Sequence, residues 1–173
     1  MIETKRLRLR EYTWEDFDAL SDILCDAETM KYYPAPYDED GVRRWIRWSL
    51  DNYETFGFGL WAMERKDTGE FLGDCGLTLQ IIDRKIRPEV GYHVRRDRWG
   101  QGFATEAARA CRDWAFTHTP FGTLYSYMNA ENAASRAVAE KNGMTFRKEY
   151  DDGDEHLAVY SVTREEWTKR SIF

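Results

Sequence analysis

The sequence has few cysteines and lacks a long apolar run, and each shortage argues against a class of protein. Its cysteines, Cys25, Cys75 and Cys111, are an odd number and far apart, which argues against a disulfide framework or a zinc site. No apolar stretch approaches the roughly 20 residues that cross a bilayer, and the first residues lack the apolar segment of a signal peptide. We therefore expect a cytoplasmic protein without a membrane partner or a metal.

Positive charge is also in deficit. The chain has 25 Lys and Arg residues against 31 Asp and Glu residues, so its formal net charge is −6 at pH 7. Binding to nucleic acid generally needs a basic face, so we expect no nucleic-acid partner. Hydrophobic residues make up 42% of the 173 residues, which is enough for one buried core. We expect one domain over residues 1–173.

Hydrophobic periodicity predicts that strands and helices are interspersed. Alternation predicts strands over residues 6–12, 58–64, 71–80, 89–95, 123–128, 145–149 and 157–162. Helical spacing predicts helices after Thr13, from about Asp38, after Gly102 and around Ala134. Residues 81–87 are predicted to be a charged connection, and Pro88 to open the strand that follows. This order predicts one mixed α/β (α+β) domain.

A glycine-rich loop lies between a predicted strand and a predicted helix, at Val94 to Glu106. Glycines let the backbone approach a ligand, and free N–H groups at a helix start attract phosphate. Three arginines and one aspartate at residues 95–98 leave the loop with a local charge of +2. The alternative is an ordinary turn, but the arginines favour anion binding. The Walker A sequence is absent, and Thr105 breaks the dinucleotide fingerprint, which makes a nucleotide-dependent oxidoreductase a poor candidate.

The chain resembles the GNAT family of acyl-CoA-dependent N-acetyltransferases, in particular its RimJ/RimL-type branch. The resemblance is carried by Thr4-Lys5-Arg6-Leu7-Arg8-Leu9-Arg10, Glu89-Val90-Gly91-Tyr92, Trp99-Gly100-Gln101-Gly102-Phe103-Ala104-Thr105-Glu106-Ala107, Asn132-Ala133-Ala134-Ser135, Lys141-Asn142-Gly143-Met144 and Glu165-Glu166-Trp167. Gly102 and Ala104 match the last two marked positions of the family loop. Trp99 departs from the Gln or Arg of the general pattern, as is usual in this branch.

The resemblance implies a single-domain GNAT fold, in which helices flank a mixed, mostly antiparallel sheet. It implies acetyl-CoA as co-substrate and a primary amine as acceptor, either a protein N-terminus or a small molecule, with the chain as a monomer or homodimer. The residues implied to hold acetyl-CoA are His93, Val94, Arg95, Trp99, Gly100, Gln101, Gly102, Phe103, Ala104, Thr105, Asn132 and Ser135.

Glu89 is our candidate for the general base of amine acetylation. It alternates with Gly91 and His93 onto one face of its strand. The alternative is a structural carboxylate paired with an arginine such as Arg87. His93 could also take a proton near neutral pH, although a packed histidine is the commoner finding.

Ser135 is our candidate for the general acid, because the resemblance implies that role for the Ser of the Asn-x-x-Ser motif. Many family members have a tyrosine where this chain has Ala139. The alternative is that Asn132 and Ser135 cap a helix. The missing tyrosine also leaves open a silent module that binds acyl-CoA without turnover.

The resemblance implies that the acceptor lies between the first two helices and the last two strands. Aromatic walls are predicted from Tyr32, Tyr33, Tyr37, Trp45 and Trp48, although Trp45 fits the core stripe of its helix better. Acidic runs could attract a cationic amine, or could be solvated surface, at Asp38, Glu39, Asp40, Asp151, Asp152, Asp154 and Glu155. An α-amine has a pKa of about 8 and a lysine one of about 10.4, so a site with one base suits an α-amine or a small amine.

Overall fold

The strands form one sheet of eight strands in a computed structural model that describes residues 1–170. The strands are β1 Ile2–Glu3, β2 Leu7–Arg10, β3 Leu60–Arg65, β4 Phe71–Ile82, β5 Lys85–Val94, β6 Thr123–Asn129, β7 Thr145–Asp152 and β8 Glu155–Thr163. Their order across the sheet is β1-β2-β3-β4-β5-β6-β8-β7, and every neighbouring pair except β5 and β6 is antiparallel. The predicted fold class, a mixed and mostly antiparallel sheet flanked by helices, is confirmed.

Polar side chains accept free N–H groups of the first turn in some of the helices, but not in α1 or α3. They are α1 Phe17–Leu24, α2 Glu39–Phe56, α3 Phe103–His118, α4 Ala133–Lys141 and α5 Arg164–Arg170. Asp38 Oδ1 accepts the N–H of Gly41 at 2.7 Å, and Asn132 Oδ1 accepts the N–H of Ser135 at 3.1 Å. Both side chains are helix N-caps. None of the helices within residues 1–170 combines the length and apolar character that a bilayer crossing requires.

Helix α5 was not predicted, although the sequence contains its start signal. Thr163 and Glu166 form a reciprocal capping box, in which each side chain accepts the other residue's backbone N–H, at 2.8 and 3.1 Å. The resemblance had marked Glu165-Glu166-Trp167 as a motif, but the apolar periodicity there is too short to predict a helix.

The prediction of a charged connection at residues 81–87 was wrong. Strands β4 and β5 pair as far as Ile82 and Lys85, so the turn consists of Asp83 and Arg84, whose φ angles are 46° and 64°. Two residues with positive φ form the tight turn that suits a twisted hairpin. Pro88 therefore lies inside β5, in the part that precedes its pairing with β6, where one edge of the strand has no neighbour.

Two apolar clusters cover the two faces of the sheet. On one face, α3 presents the small residues Ala107, Ala108, Cys111 and Ala115, all fully buried. Small side chains let this helix lie close to the sheet. On the other face, α1 and α2 bury Leu20, Ile23, Leu24, Val42 and Ile46. The centre of the sheet is thereby fixed from both sides.

The parallel pair β5 and β6 is joined at a single point. Its only pairing in the described residues is between Glu89 and Tyr125, reinforced by a hydrogen bond of 2.7 Å from Ser126 Oγ to the carbonyl of Val90. Beyond this point both strands continue without pairing to each other. The sheet therefore contains a gap, which opens toward the C-terminal ends of both strands.

Candidate active site

A cavity of about 290 Å³ lies at this gap. Its walls include consecutive residues of both strands, 89–93 of β5 and 126–129 of β6. Because consecutive strand residues point to opposite faces, the cavity is lined from both faces of the sheet. A wider depression of about 840 Å³ along the outer side of α3 shares Gly102 with the loop but none of these strand residues.

Glu89, the candidate general base, lies on the cavity wall beside the point where β5 and β6 pair. Its carboxylate accepts a hydrogen bond of 3.1 Å from Thr78 Oγ1. Arg87, the alternative partner, lies over the ring of Tyr125 at 4.9 Å instead. A Cβ at Gly91 would lie 3.2 Å from both Glu89 carboxylate oxygens, so the glycine gives the carboxylate its room.

The local environment favours the protonated form of Glu89. Burial raises the pKa of its carboxyl to about 7, although the Thr78 hydrogen bond and the nearby His93 act in the opposite direction. A carboxyl that changes charge near neutral pH is suited to general-base chemistry.

His93 is held by a residue that the sequence analysis missed. Its Nδ1 lies 2.9 Å from Oδ1 of Asp74, which is directly opposite it on β4 and fully buried. Burial by itself would lower the pKa of His93, but the charge of Asp74 and its hydrogen bond to the ring outweigh this effect and raise it. No local pattern in the sequence marks Asp74 as part of the site, because its partner His93 lies 19 positions further along the chain.

Tyr92 is a second residue that the sequence analysis missed. It points to the opposite face of β5 from Glu89 and His93, toward α4. Its phenol oxygen lies 2.9 Å from the carbonyl of Ser135 and 3.1 Å from Ser135 Oγ. Ser135 thus lines the cavity and has a tyrosine hydroxyl in contact with it. Ala139, the position where many family members have a tyrosine, is buried in the core.

The alternative role of Asn132 and Ser135 holds for only one of them. Asn132 caps α4, whereas Ser135 is the residue whose N–H is capped, one turn inside the helix. The Ser135 hydroxyl is therefore not used as a cap. Both residues line the cavity.

The glycine-rich loop presents a row of free donors next to the cavity strand. No described residue accepts the backbone N–H groups of residues 100–105, and the first bonded N–H of α3 is that of Glu106, to the Gly102 carbonyl. Gly102 begins the helix with a φ of 81°, a conformation that disfavours other residues. Trp99 braces the loop through a hydrogen bond of 2.8 Å from its indole to the Val94 carbonyl.

The predicted surplus of positive charge in this loop was wrong. Arg98 donates to Glu70 at 2.7 Å, and Arg95 contacts both Asp97 and Glu70. Arg96 lies 3.8 Å from Asp26. Three arginines therefore face three carboxylates, two of which come from other parts of the chain. The loop can attract an anion through its N–H groups and the start of α3.

All five aromatic residues predicted as acceptor walls line the cavity: Tyr32, Tyr33, Tyr37, Trp45 and Trp48. Of the acidic runs, only Asp152 and Glu155 line it. Asp38 caps α2, while Glu39 and Asp40 pair with Arg43 on the helix surface. None of the described residues lining the cavity is Lys or Arg, so its charged walls attract cations.

Comparison of the sequence with known proteins identifies the family to which it is similar. Residues 6–145 match the family model described as "Acetyltransferase (GNAT) domain". The uncharacterized protein YkkB of Bacillus subtilis (strain 168) is 40% identical over 160 residues, which cover 92% of this chain and 93% of YkkB.

Solved structures are similar over the same length. The acetyltransferase of Agrobacterium tumefaciens str. C58 has a TM-score of 0.82 and 31% identity, covering 93% of this chain and 92% of its own. RimL, a ribosomal α-N-protein acetyltransferase solved in complex with coenzyme A, has a TM-score of 0.77 and 16% identity, covering 92% and 95%, so it shares the fold. The family model spans most of the chain, and a relative that is 40% identical covers 92% of it, so this protein belongs to the GNAT family of N-acetyltransferases.

Proposed function

We propose that the protein transfers an acetyl group from acetyl-CoA to a primary amine by direct attack of the amine on the thioester. The observation that carries this proposal is the gap between β5 and β6, which lies beside a loop with six free N–H groups. A phosphate group fits such donors, and an extended chain fits between two strands that do not pair.

In this proposal the N–H groups of Gly100, Gln101, Gly102, Phe103, Ala104 and Thr105 bind the pyrophosphate of acetyl-CoA. Of residues 93–95, implied by the resemblance to pair with the pantetheine arm, Val94 presents its backbone N–H to the gap, because the N–H of Arg95 is bonded to the Leu72 carbonyl on the β4 side. Trp99 braces the loop, and Asn132 lies beside the thioester. The carbonyls of Val90 and Val94 point away from β4, as their bonds to Ser126 and Trp99 indicate. By alternation, the N–H of Tyr92 points into the gap, where it can stabilise the oxyanion.

We assign the two proton-transfer steps to two residues of the cavity, Glu89 as general base and Ser135 as general acid. Glu89, directly or through a water, accepts a proton from the amine, and its pKa of about 7 lets it do so at neutral pH. Ser135, whose hydroxyl is in contact with Tyr92, donates a proton to the departing thiolate. The two residues come from opposite faces of the sheet, as a reaction across the gap requires.

The acceptor we propose is an α-amine or a small amine that carries positive charge. Asp152 and Glu155 add carboxylates to the aromatic wall of the cavity, and no described lining residue carries a cationic Lys or Arg side chain. The volume of about 290 Å³ suits one amino-terminal residue or one small molecule. An amine with a pKa near 8 loses its proton more readily than a lysine.

A silent acyl-CoA-binding module is the alternative function. The absence of a tyrosine at Ala139 favoured it, but Tyr92 brings a phenol to Ser135 from β5. Pure binding has no need for a titratable carboxyl and an imidazole in the same cavity.

The test is acetyl-CoA binding by calorimetry, followed by thiol release with a panel of small amines, α-amine peptides and peptides whose only amine is lysine. We expect binding and turnover, with α-amines or small amines preferred. Binding without turnover on any amine would support the silent module. Absence of binding would overturn the assignment of the loop.

A further inference from the structure

The His93 imidazole is fixed on one side and lacks a partner on the other. Its side chain is 9% exposed, and Nδ1 is bonded to Asp74 at 2.9 Å. Nε2 is buried and has no hydrogen-bond partner among the described residues. Leaving a buried polar atom without a partner is destabilising, so a ligand group is the natural partner in the cavity that His93 lines.

Three side chains hold the Asp74 carboxylate in one orientation: Tyr12, Trp45 and His93. Tyr12 Oη donates to Oδ2 at 2.8 Å, and Trp45 Nε1 donates to the same atom at 2.9 Å. The remaining oxygen, Oδ1, faces the His93 ring. A carboxylate only accepts hydrogen bonds, so the Nδ1 of neutral His93 must carry the hydrogen. Nε2 then keeps its lone pair.

Two aromatic rings pack against the imidazole. The ring centroids of Tyr33 and Trp45 each lie 5.4 Å from that of His93, and the Trp45 ring meets it edge-on. The titratable groups that act on His93 are Asp74 from β4 and Glu89 from its own strand, with Tyr33 from the segment before α2. These contacts prevent the ring from turning, so the free nitrogen keeps its position.

We propose that His93 Nε2 is a second proton acceptor for the amine, and that Asp74 is the residue that positions it. The inference rests on the proposed function. An ammonium group that becomes an amide loses two protons, one before the nitrogen attacks and one after the N–C bond forms. The C–S bond breaks and one proton ends on sulfur, while the other leaves to solvent. Glu89 and His93 supply one acceptor for each proton, and Ser135 returns one to the thiolate.

The first test compares His93→Gln and Asp74→Asn with wild type, using the best amine of the panel. We expect His93→Gln to lower kcat/KM about 100-fold, the usual effect of removing a general base. We also expect the acidic limb of log(kcat/KM) against pH to lose one unit of slope, because one ionisation has been removed. Acetyl-CoA affinity should stay within about twofold. His118→Gln, outside the cavity, is the control and should match wild type.

The second test measures the tautomer and the pKa of the His93 imidazole in the absence of turnover. Nitrogen-15 NMR of the free protein should show neutral His93 with its hydrogen on Nδ1. In Asp74→Asn that preference should weaken and the pKa of His93 should fall, since the charge that raised it is gone. Unfolding of Asp74→Asn would leave His93→Gln and the wild-type tautomer as the deciding measurements.

The outcomes separate the inference from the function. A wild type that turns over, with His93→Gln equal to it in rate and slope, would overturn the role of His93 alone. A neutral ring with its hydrogen on Nε2 would do the same. A wild type that binds acetyl-CoA but acetylates no amine would overturn the proposed function, and the inference with it.

Discussion

Two carboxylates at this site differ in how they are held, and this difference gives them different chemistry. Asp74 is fully buried, with two donors on Oδ2 and the His93 ring on Oδ1. Glu89 has one hydrogen bond, from Thr78, and its pKa is raised to about 7 by burial. Three contacts fix the orientation of the Asp74 carboxylate, whereas burial with a single hydrogen bond favours the protonated form of Glu89. Asp74 is therefore suited to positioning and Glu89 to proton transfer.

At the residue scale, Ser135→Ala tests the general acid. We expect kcat to fall about 10- to 100-fold with acetyl-CoA affinity unchanged, because the hydroxyl is proposed to act only on the departing thiolate. Tyr92→Phe should lower kcat by less, since its phenol contacts the Ser135 hydroxyl. The double variant should be no slower than Ser135→Ala, because the two groups act as one unit. Thiol-release assays at saturating acetyl-CoA measure the kcat of each variant.

The control for this prediction is Ser21→Ala, which removes a helical serine hydroxyl bonded to its own helix at Phe17. It should keep wild-type turnover. Wild-type turnover in Ser135→Ala would return this serine to a structural role and assign the thiolate's proton to solvent.

At the scale of elements, the site depends on one pair of strands that meets and then separates. The parallel pair β5 and β6 is joined at Glu89 and Tyr125 and by Ser126, while β5 continues in full register with β4. Packing of α3 through small residues holds β5 in place. The gap is therefore a property of the sheet, formed by the way β5 and β6 pair and then separate.

The loop before α3 gives a prediction at this scale. We expect Gly102→Glu to abolish measurable acetyl-CoA binding, because the new carboxylate would stand among the N–H groups proposed to bind the pyrophosphate. The positive φ of 81° adds backbone strain of about 1 kcal/mol. Calorimetry on the folded variant measures the affinity.

Gly57→Glu is a matched control for this variant. Gly57 ends α2 with φ 75° and ψ 8°, close to the φ 81° and ψ 8° of Gly102. It therefore carries the same strain and the same added charge away from the loop, and it should bind acetyl-CoA like wild type. Equal binding by both variants would show that the loop does not hold the co-substrate.

At the scale of the whole molecule, Glu89 couples the site to stability. Its folded pKa of about 7 lies above the ordinary value of 4.5, so the folded protein binds a proton that the unfolded chain releases. The free energy of unfolding should therefore fall as pH rises from about 4.5 to 7. The shift corresponds to about 3 kcal/mol, an upper bound because partial exposure lets water screen the charge.

Glu89→Gln tests this linkage. The variant should be more stable than wild type at pH 8, by up to about 3 kcal/mol, and nearly equal to it at pH 5. His93 has a raised pKa and loses its contribution to stability as pH rises through that pKa. This contribution is smaller in Glu89→Gln, which lacks the Glu89 charge that helps to raise the pKa of His93. Denaturant unfolding at both pH values measures the difference. A difference that does not change with pH would contradict the raised pKa of Glu89.

Local patterns in the sequence determined the elements and the loop. Ala107, Ala108 and Cys111 repeat at helical spacing, and the residues that line the gap alternate as a strand should, because periodicity depends only on neighbours along the chain. The glycine loop and the Asn132 cap are equally local. The hairpin turn at Asp83 was missed because its charged residues resemble a solvated connection.

Only the tertiary structure decided which side chains meet. Asp74 faces His93 because β4 and β5 pair in one register, and Tyr92 reaches Ser135 across 43 positions. Glu70 neutralises Arg98 from 28 positions away, so the charge of the loop differs from the sum of its own residues. Strand register and helix packing arise from the burial of the whole core, and no segment contains that information by itself. The sequence alone thus determined the family and the position of the glycine-rich loop. The tertiary structure decided the net charge around that loop, the tautomer of His93 and the gap between β5 and β6.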